Sequence, residues 1–326
     1  MRLFLLPIST RRTLIYCERV SHTLPAGQKP PITDRIINKA STTWAGWEQA
    51  EKGWQKQLTT QGNRLLKRIS YEEWGLKSIP PATKNRLEEI DNGGTQFECL
   101  FPGRFFGGGK GDGGMQKGQI ARAKEVLERI AKDRQGLHRK RMWNSIFWMP
   151  VAAPFALVPV IPNIPFFYLV FRAYSHYRAL YGGKLLEHIL AKDLVKITDS
   201  PEMDEMYTAG LLHPHRDASR EAPRPSEMQI EQVARVVEAQ TQGGKEDVMV
   251  LQRWNGKLIA ERFKLPEMEV EIERAVEQVE NAIEKEKEEL EKEKSEIMEA
   301  ANPLAATTTS AEPKREDVSN PEIRRR

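Results

Sequence analysis

Between Met142 and Phe171 the chain runs for thirty residues without a charged side chain, fenced by Arg139-Lys140-Arg141 and Arg172. No other stretch approaches it in length or hydrophobicity, so any fold of this chain must house it. A bilayer core of ~30 Å takes about 20 apolar residues in helix. The run is therefore long enough to cross once and barely long enough for two shallow passes. It also holds Pro150, Pro154, Pro159, Pro162 and Pro165. Each proline removes a backbone donor and frees a carbonyl one turn earlier, which argues against a straight helix through all five.

Two shapes remain, a single kinked span or a hairpin turning near Val160–Pro165. Both flanks are basic, with His138–Arg141 before the run and Arg172, Arg178 and Lys184 after it. Positive ends tend to stay on the side where insertion began, so the charges favour a hairpin with arms Trp143–Val158 and Ile164–Tyr181. At ~1.5 Å per residue the first arm reaches only ~24 Å, which suits a re-entrant hairpin better than two full spans. Trp143, Trp148, Tyr168, Tyr174, Tyr177 and Tyr181 are residue types enriched at headgroup depth. A buried helix pair inside a folded body is the competing reading, and the density of prolines argues against it.

Composition points the same way. Hydrophobic residues make up 39% of the chain and much of that is in the one run, so the remainder reads as solvated arms on a membrane-anchored, mainly α protein. The net charge of +4 is unevenly placed, basic over the first two-thirds and acidic, then mixed, after Pro266. A basic face of this kind suits anionic lipid. Cys17 and Cys99 stand in no CxxC or Cys/His spacing, which argues against a disulfide scaffold and a zinc site and fits a reducing compartment.

The flanking segments divide as follows. Residues 1–23 open with Met1–Val20, which has Arg2, Arg11 and Arg12 and no acid before Glu18, the composition of a mitochondrial presequence. A β-hairpin of Leu3–Ile8 and Thr13–Val20 about Ser9-Thr10 fits equally. Residues 36–141 read as an amphipathic helical region. In it Trp44, Trp47, Trp54, Leu58 and Leu65 recur at helical spacing opposite Glu48, Lys52, Lys56 and Arg64. The three tryptophans are candidate lipid contacts on an interfacial helix, and a packed amphipathic helix is the plainer reading. Ser70-Tyr71-Glu72-Glu73 has the form of a capping box opening a short helix that Pro80-Pro81 ends, and a small helix follows at Asn85–Ile90. Gly107–Gly114 (GGGKGDGG) lacks the spacing and the Ser/Thr of a phosphate loop and reads as a linker. Lys117–Arg141 is a basic amphipathic helix, and Arg139, Lys140 and Arg141 at its end are further lipid-contact candidates.

The hydrophobic run and the basic, aromatic helix Arg172–Lys196 make up residues 142–196. Residues 201–225 are a polar linker, in which His213-Pro214-His215 lacks a third ligand. Residues 226–300 are a charged helical tail. Its Ile272, Val276, Val279, Ile283, Leu290 and Ile297 form a heptad seam interrupted by Glu286 and Glu293, read as a weak coiled coil or a solvated helix. Residues 301–326 have a disordered composition.

No G-x-S-x-G, metal spacing or dinucleotide fingerprint is present, so the chain reads as no enzyme, with no metal and no cofactor. Chemistry belongs to the apolar run. Its prolines free the carbonyls of Ile146, Pro150, Phe155, Val158 and Ile161, and unwound carbonyls of this kind coordinate cations in transporters. Asn163 at the turn could add an oxygen. His176, at i+4 from Arg172, titrates near neutral pH and is the best proton carrier, with Arg178 beside it. The bland reading is that Arg172 and His176 snorkel to the interface. The lack of any Asp or Glu between Met142 and Tyr181 argues against this chain alone forming a proton-coupled path.

Three segments carry a resemblance: LFLLPISTRRTLIYC, YEEWGLKSIPP and, above all, ALVPVIPNIPFFYLVFRAYSHYRAL. Over roughly Met1–Lys196 the chain resembles the mitochondrial K+/H+ exchange-related family of fungal inner-membrane proteins; the tail after Asp199 lies outside. The resemblance implies a mitochondrial inner-membrane protein taking part in electroneutral exchange of K+ for H+, and so in matrix volume control. It supplies no established catalytic residues, and carries over only Pro162, Asn163, Pro165, Arg172, His176 and Arg178. A short hairpin would have to assemble into a homo- or hetero-oligomer to enclose a path, so the role expected is component or regulator of an exchanger. The lipid partner in that membrane would be cardiolipin. A membrane-organising or assembly factor that moves no ion is the rival reading. Nucleic-acid binding gives the apolar run no role.

Overall fold

The computed structural model describes residues 1–18, 39, 42–93, 96–106, 115–154, 163–213 and 223–301. Four short strands organise it: β1 (Arg2–Pro7), β2 (Thr13–Cys17), β3 (Phe97–Phe101) and β4 (Val195–Asp199). They form one sheet in the order β2-β1-β3-β4. β1 and β2 are antiparallel, with Leu3 opposite Cys17 and Leu5 opposite Ile15. β1–β3 and β3–β4 are parallel, with Leu3 beside Cys99 and Cys99 beside Ile197. Arg2 and Glu18 close the open end of the hairpin through two contacts, 2.7 and 3.0 Å.

Parallel neighbours require crossovers, and helices supply them. Between β2 and β3 lie α1 (Trp54–Lys67), α2 (Tyr71–Ser78) and α3 (Lys84–Asp91). Between β3 and β4 lie α4 (Met115–Lys132), α5 (Gln135–Ala152) and α6 (Ile164–Ala191). After β4 come α7 (Pro201–Leu212), α8 (Glu227–Gln240), α9 (Asn255–Phe263) and α10 (Pro266–Ala301).

The run Leu3-Phe4-Leu5-Leu6 is fully buried because both faces of β1 are covered, as a continuous apolar strand requires. On one face Leu3, Leu5, Ile15, Cys17, Cys99 and Phe101 pack with Leu76 of α2, Ile79 just after it, Leu127 of α4, and Leu185, Leu186 and Ile189 of α6. On the other, Phe4 meets Phe263 of α9 edge to face at 5.0 Å. There too Tyr207 of α7 donates to the Pro7 carbonyl at 3.0 Å and stacks on Phe105. The sheet is thus the middle of three layers.

This overturns the expected membrane hairpin. The fold is helical with a mixed four-stranded sheet at its centre, and among the described residues no helix is long and apolar enough to cross a membrane. The physical reason lies beyond the uncharged run. The helix that begins in it continues as α6, where Ala179, Leu185, Leu186, Ile189 and Leu190 are buried against the sheet layer rather than lipid. Pro150 sits within α5 without ending it, and Pro165 takes the first turn of α6, where the lost donor costs nothing. Pro154 follows the C-cap Ala153; Pro159 and Pro162 lie outside the described residues.

Other expectations are revised too. The hairpin offered for Met1–Val20 is formed, with strands at Arg2–Pro7 and Thr13–Cys17. The helical spacing read from Trp44 to Leu65 does not run through one helix, because the chain breaks at Gly53, which has φ 106°, the left-handed side that favours glycine. Part of the expected linker 201–225 is helix α7, and the first part of α10 is no solvated tail, since Met268, Ile272, Ala275, Val276 and Val279 are buried. The Gly107–Gly114 linker, the Pro214-His215 pair and 302–326 lie outside the described residues. Met1–Glu280 form one compact unit and Asn281–Arg326 a second, whose helical part exposes Leu290 and Ile297.

Candidate functional site

Three helices bring polar groups to one buried point. In α2, Ser70 is the N-cap, its Oγ accepting the Glu72 N–H at 3.3 Å. Glu72 turns outward to an ion pair with Arg134. Its neighbour Glu73 lies about 100° further round the helix and points inward. In α5, His138, Ser145 and Ala152 fall seven apart and are the residues that helix buries. In α6, Arg172, Ser175 and His176 sit at i, i+3 and i+4, hence on one face.

Where the faces meet, Arg172 grips Glu73 with Nη1–Oε1 at 2.8 Å and Nη2–Oε2 at 3.2 Å. Ser175 Oγ donates to Glu73 Oε1 at 2.5 Å. Arg172 Nη2 is also 2.9 Å from His176 Nε2, and His176 Nδ1 is 3.1 Å from His138 Nδ1 and 3.6 Å from Glu73 Oε2. Side-chain exposure is 2% for His176, 3% for Glu73 and 13% for Arg172.

The hydrogen bonds fix the tautomers. A guanidinium only donates, so His176 Nε2 accepts and its proton is on Nδ1. That N–H faces His138 Nδ1, which must accept, leaving the His138 proton on Nε2, a buried atom with no partner. Burial lowers His138, and it lowers His176 to about 4 despite the Glu73 charge, with Arg172 adding to the fall. Both rings are neutral at pH 7. Burial works to raise Glu73, but the Ser175 hydroxyl and the Arg172 guanidinium, through its charge and its hydrogen bonds, outweigh it and hold the carboxyl below its usual range, with His176 adding to the pull only in acid, where its ring is protonated.

Two of the five residues in this cluster are ones the sequence singles out. Arg172 and His176 are in it. Asn163 and Arg178 are elsewhere: Asn163 caps α6 through Phe166 N–H at 3.1 Å and donates to the Ala152 carbonyl at 2.7 Å, tying α5 to α6. Arg178 donates to the Lys77 carbonyl at the end of α2, at 2.9 Å. Trp44, Trp47 and Trp54 touch in series, the first pair tilted at 6.5 Å and the second edge to face at 5.6 Å, with Trp44 donating to Asn63 at 3.2 Å. Arg139, Lys140 and Arg141 are exposed. Glu73, His138 and Ser175 were missed as site residues. Glu73 was absorbed into a capping motif and His138 into a basic flank, and the usable signal was a second acid beside a cap that needs one.

Fold and site define a three-layer protein whose helical layer is locked by a buried ion pair and a histidine pair. The chain belongs to the mitochondrial K+-H+ exchange-related family, whose model matches residues 2–190. That description associates it with mitochondria and with potassium–proton exchange. An uncharacterized protein of Schizosaccharomyces pombe is 26% identical over 219 residues, 66% of this chain and 87% of that one. An uncharacterized protein of Saccharomyces cerevisiae is 22% identical over 238 residues, 64% of this chain and 69% of that one. No solved structure matches the chain.

Proposed function

We propose that this protein regulates mitochondrial K+/H+ exchange from the surface of the inner membrane, docking on anionic lipid while a partner chain moves the ions. The observation that carries the reading is the outer end of the α5–α6 pair. Trp143 (59% exposed), Phe147 (71%), Trp148, Val151 and Phe167 (62%) face outward there, and Arg139, Lys140 and Arg141 are exposed on the preceding turn of α5. An exposed apolar patch rimmed by charge marks an interaction surface. Aromatic rings seat at headgroup depth, and each basic residue near an anionic surface contributes ~1 kcal/mol. The polar side chains read from the sequence as ion-path candidates are engaged in structural bonds: Asn163 caps a helix, Arg172 is paired with Glu73 and Arg178 holds α2. That supports a regulator over a conduit.

Vesicle flotation and flux measurements test this. The full chain is expected to float with cardiolipin-containing vesicles, less so as salt rises, and to release with Phe147→Glu plus Trp148→Glu. Mitochondria lacking the chain are expected to swell abnormally in potassium salts, with rescue by the natural chain but not by that variant. Failure to bind anionic vesicles sinks the docking. Potassium-dependent proton flux through the purified chain alone in liposomes sinks the regulatory role.

A further inference from the structure

The cluster between α2, α5 and α6 has the make-up of a transition-metal site. Glu73, His138 and His176 each turn one ligating atom inward, all within 4.8 Å of one another, and all three residues are buried. Around a four-coordinate zinc with bonds of 2.0–2.1 Å, neighbouring donor atoms lie ~3.3 Å apart. The distances here are 3.1 Å between the two Nδ1 atoms and 3.6 Å from His176 Nδ1 to Glu73 Oε2. We propose that Glu73 Oε2, His138 Nδ1 and His176 Nδ1 bind one divalent cation of the zinc type, stapling the three helices together.

The surroundings suit that role. The bonding pattern leaves His138 with its lone pair on Nδ1, the form a ligand needs, so this ring requires no proton shift. Glu73 Oε1 is held by Ser175 at 2.5 Å and by Arg172 at 2.8 Å, which aims Oε2 at the histidines in the manner of an outer shell. His176 must move its proton from Nδ1 to Nε2, so the Arg172 contact with that ring is given up while its hold on Oε1 is kept. No proton is lost overall, since two neutral imidazoles and one carboxylate already form the donor set. Two imidazoles and one carboxylate select zinc, cobalt or ferrous iron over magnesium or calcium. Three protein donors leave one position for water.

This inference goes beyond the exchange role and is read independently of it. The experiment is titration of the metal-free full chain with Co2+, followed by displacement with Zn2+. One equivalent is expected to give visible absorption bands of a nitrogen- and oxygen-ligated ion. The bands should vanish in His138→Gln and His176→Gln, while Ser175→Ala weakens binding about tenfold. His188→Gln, which alters the surface pair with Asp91, should bind normally. If the ligand variants fail to fold, X-ray absorption of the zinc-loaded natural chain decides instead. Two imidazoles and no sulfur support the site; sulfur ligation, loss of binding in His188→Gln, or no stoichiometric binding overturns it. Vesicle binding plays no part in these readouts, so this inference and the docking proposal fail separately.

Discussion

The guanidinium of Arg172 meets the carboxylate of Glu73 through two contacts, 2.8 and 3.2 Å, across 99 residues of chain. The pair fastens α6 to α2, and α2 lies against β2 and its neighbours in the sheet layer. Since the carboxylate is 3% exposed, neither partner can be removed cleanly. Arg172→Met should destabilise the protein by about 3–5 kcal/mol, because it leaves a buried charge uncompensated. Glu73→Gln should also destabilise it, and the double variant should lose much less than the sum. Denaturant unfolding of all four proteins forms the cycle; additive losses would show that the pair is not coupled.

The hairpin carries a second prediction. Leu3, Phe4, Leu5 and Leu6 have no exposed surface, and β1 is hydrogen-bonded on both sides. Leu5→Ala should cost about 2–5 kcal/mol. Deleting residues 1–18 should remove two of the four strands and leave a chain that proteases degrade. A truncated protein with an unchanged circular dichroism spectrum and melting temperature would contradict this.

Asp204 on α7 sets a pH dependence. Its Oδ1 accepts the Arg104 backbone N–H at 3.0 Å, yet burial raises the carboxyl to about 7, opposed by that bond and the Arg104 charge and aided by Asp199. A folded pKa above the unfolded value of 3.8 means the native state holds the proton more tightly. Stability from this residue is therefore full below about pH 4 and is lost as pH rises towards 7, by at most ~1.4 kcal/mol per unit. Asp204→Asn should flatten the stability profile between pH 4 and 7, as urea unfolding at several pH values would reveal.

What the sequence exposed, and what it hid, follows from how local each signal is. The β1–β2 hairpin was legible as one of two readings, because its turn and alternation lie within twenty residues. Ser70 was legible as a cap, since its bond reaches only to Glu72. β3 and β4 were not, because their parallel pairing depends on partners about a hundred residues away. The uncharged run misled for a different reason. Lipid and an exposed docking patch demand the same composition, and only the packing of Leu185, Leu186 and Ile189 on the sheet shows where α6 goes. The acid missing between Met142 and Tyr181 comes from Glu73, which no local pattern in α6 announces.

That packing depends on two glycines whose exchange can be compared with a third. A Cβ on Gly182 would run into the Leu76 carbonyl and lie 3.3 Å from that of Ile79, and one on Gly183 would lie 3.0 Å from the Ala131 carbonyl. All three obstacles are backbone, which cannot step aside as a side chain can. Gly136, near the start of α5, has nothing within 4 Å of the added carbon. Gly182→Ala should thus push α6 off α2 and cost at least about 1–3 kcal/mol, as overpacking does. Gly136→Ala should be neutral or stabilise by up to about 1 kcal/mol through helix propensity. Thermal melts of the two variants give the answer, and equal melting temperatures would mean that α6 does not approach α2 as closely as the backbone here requires.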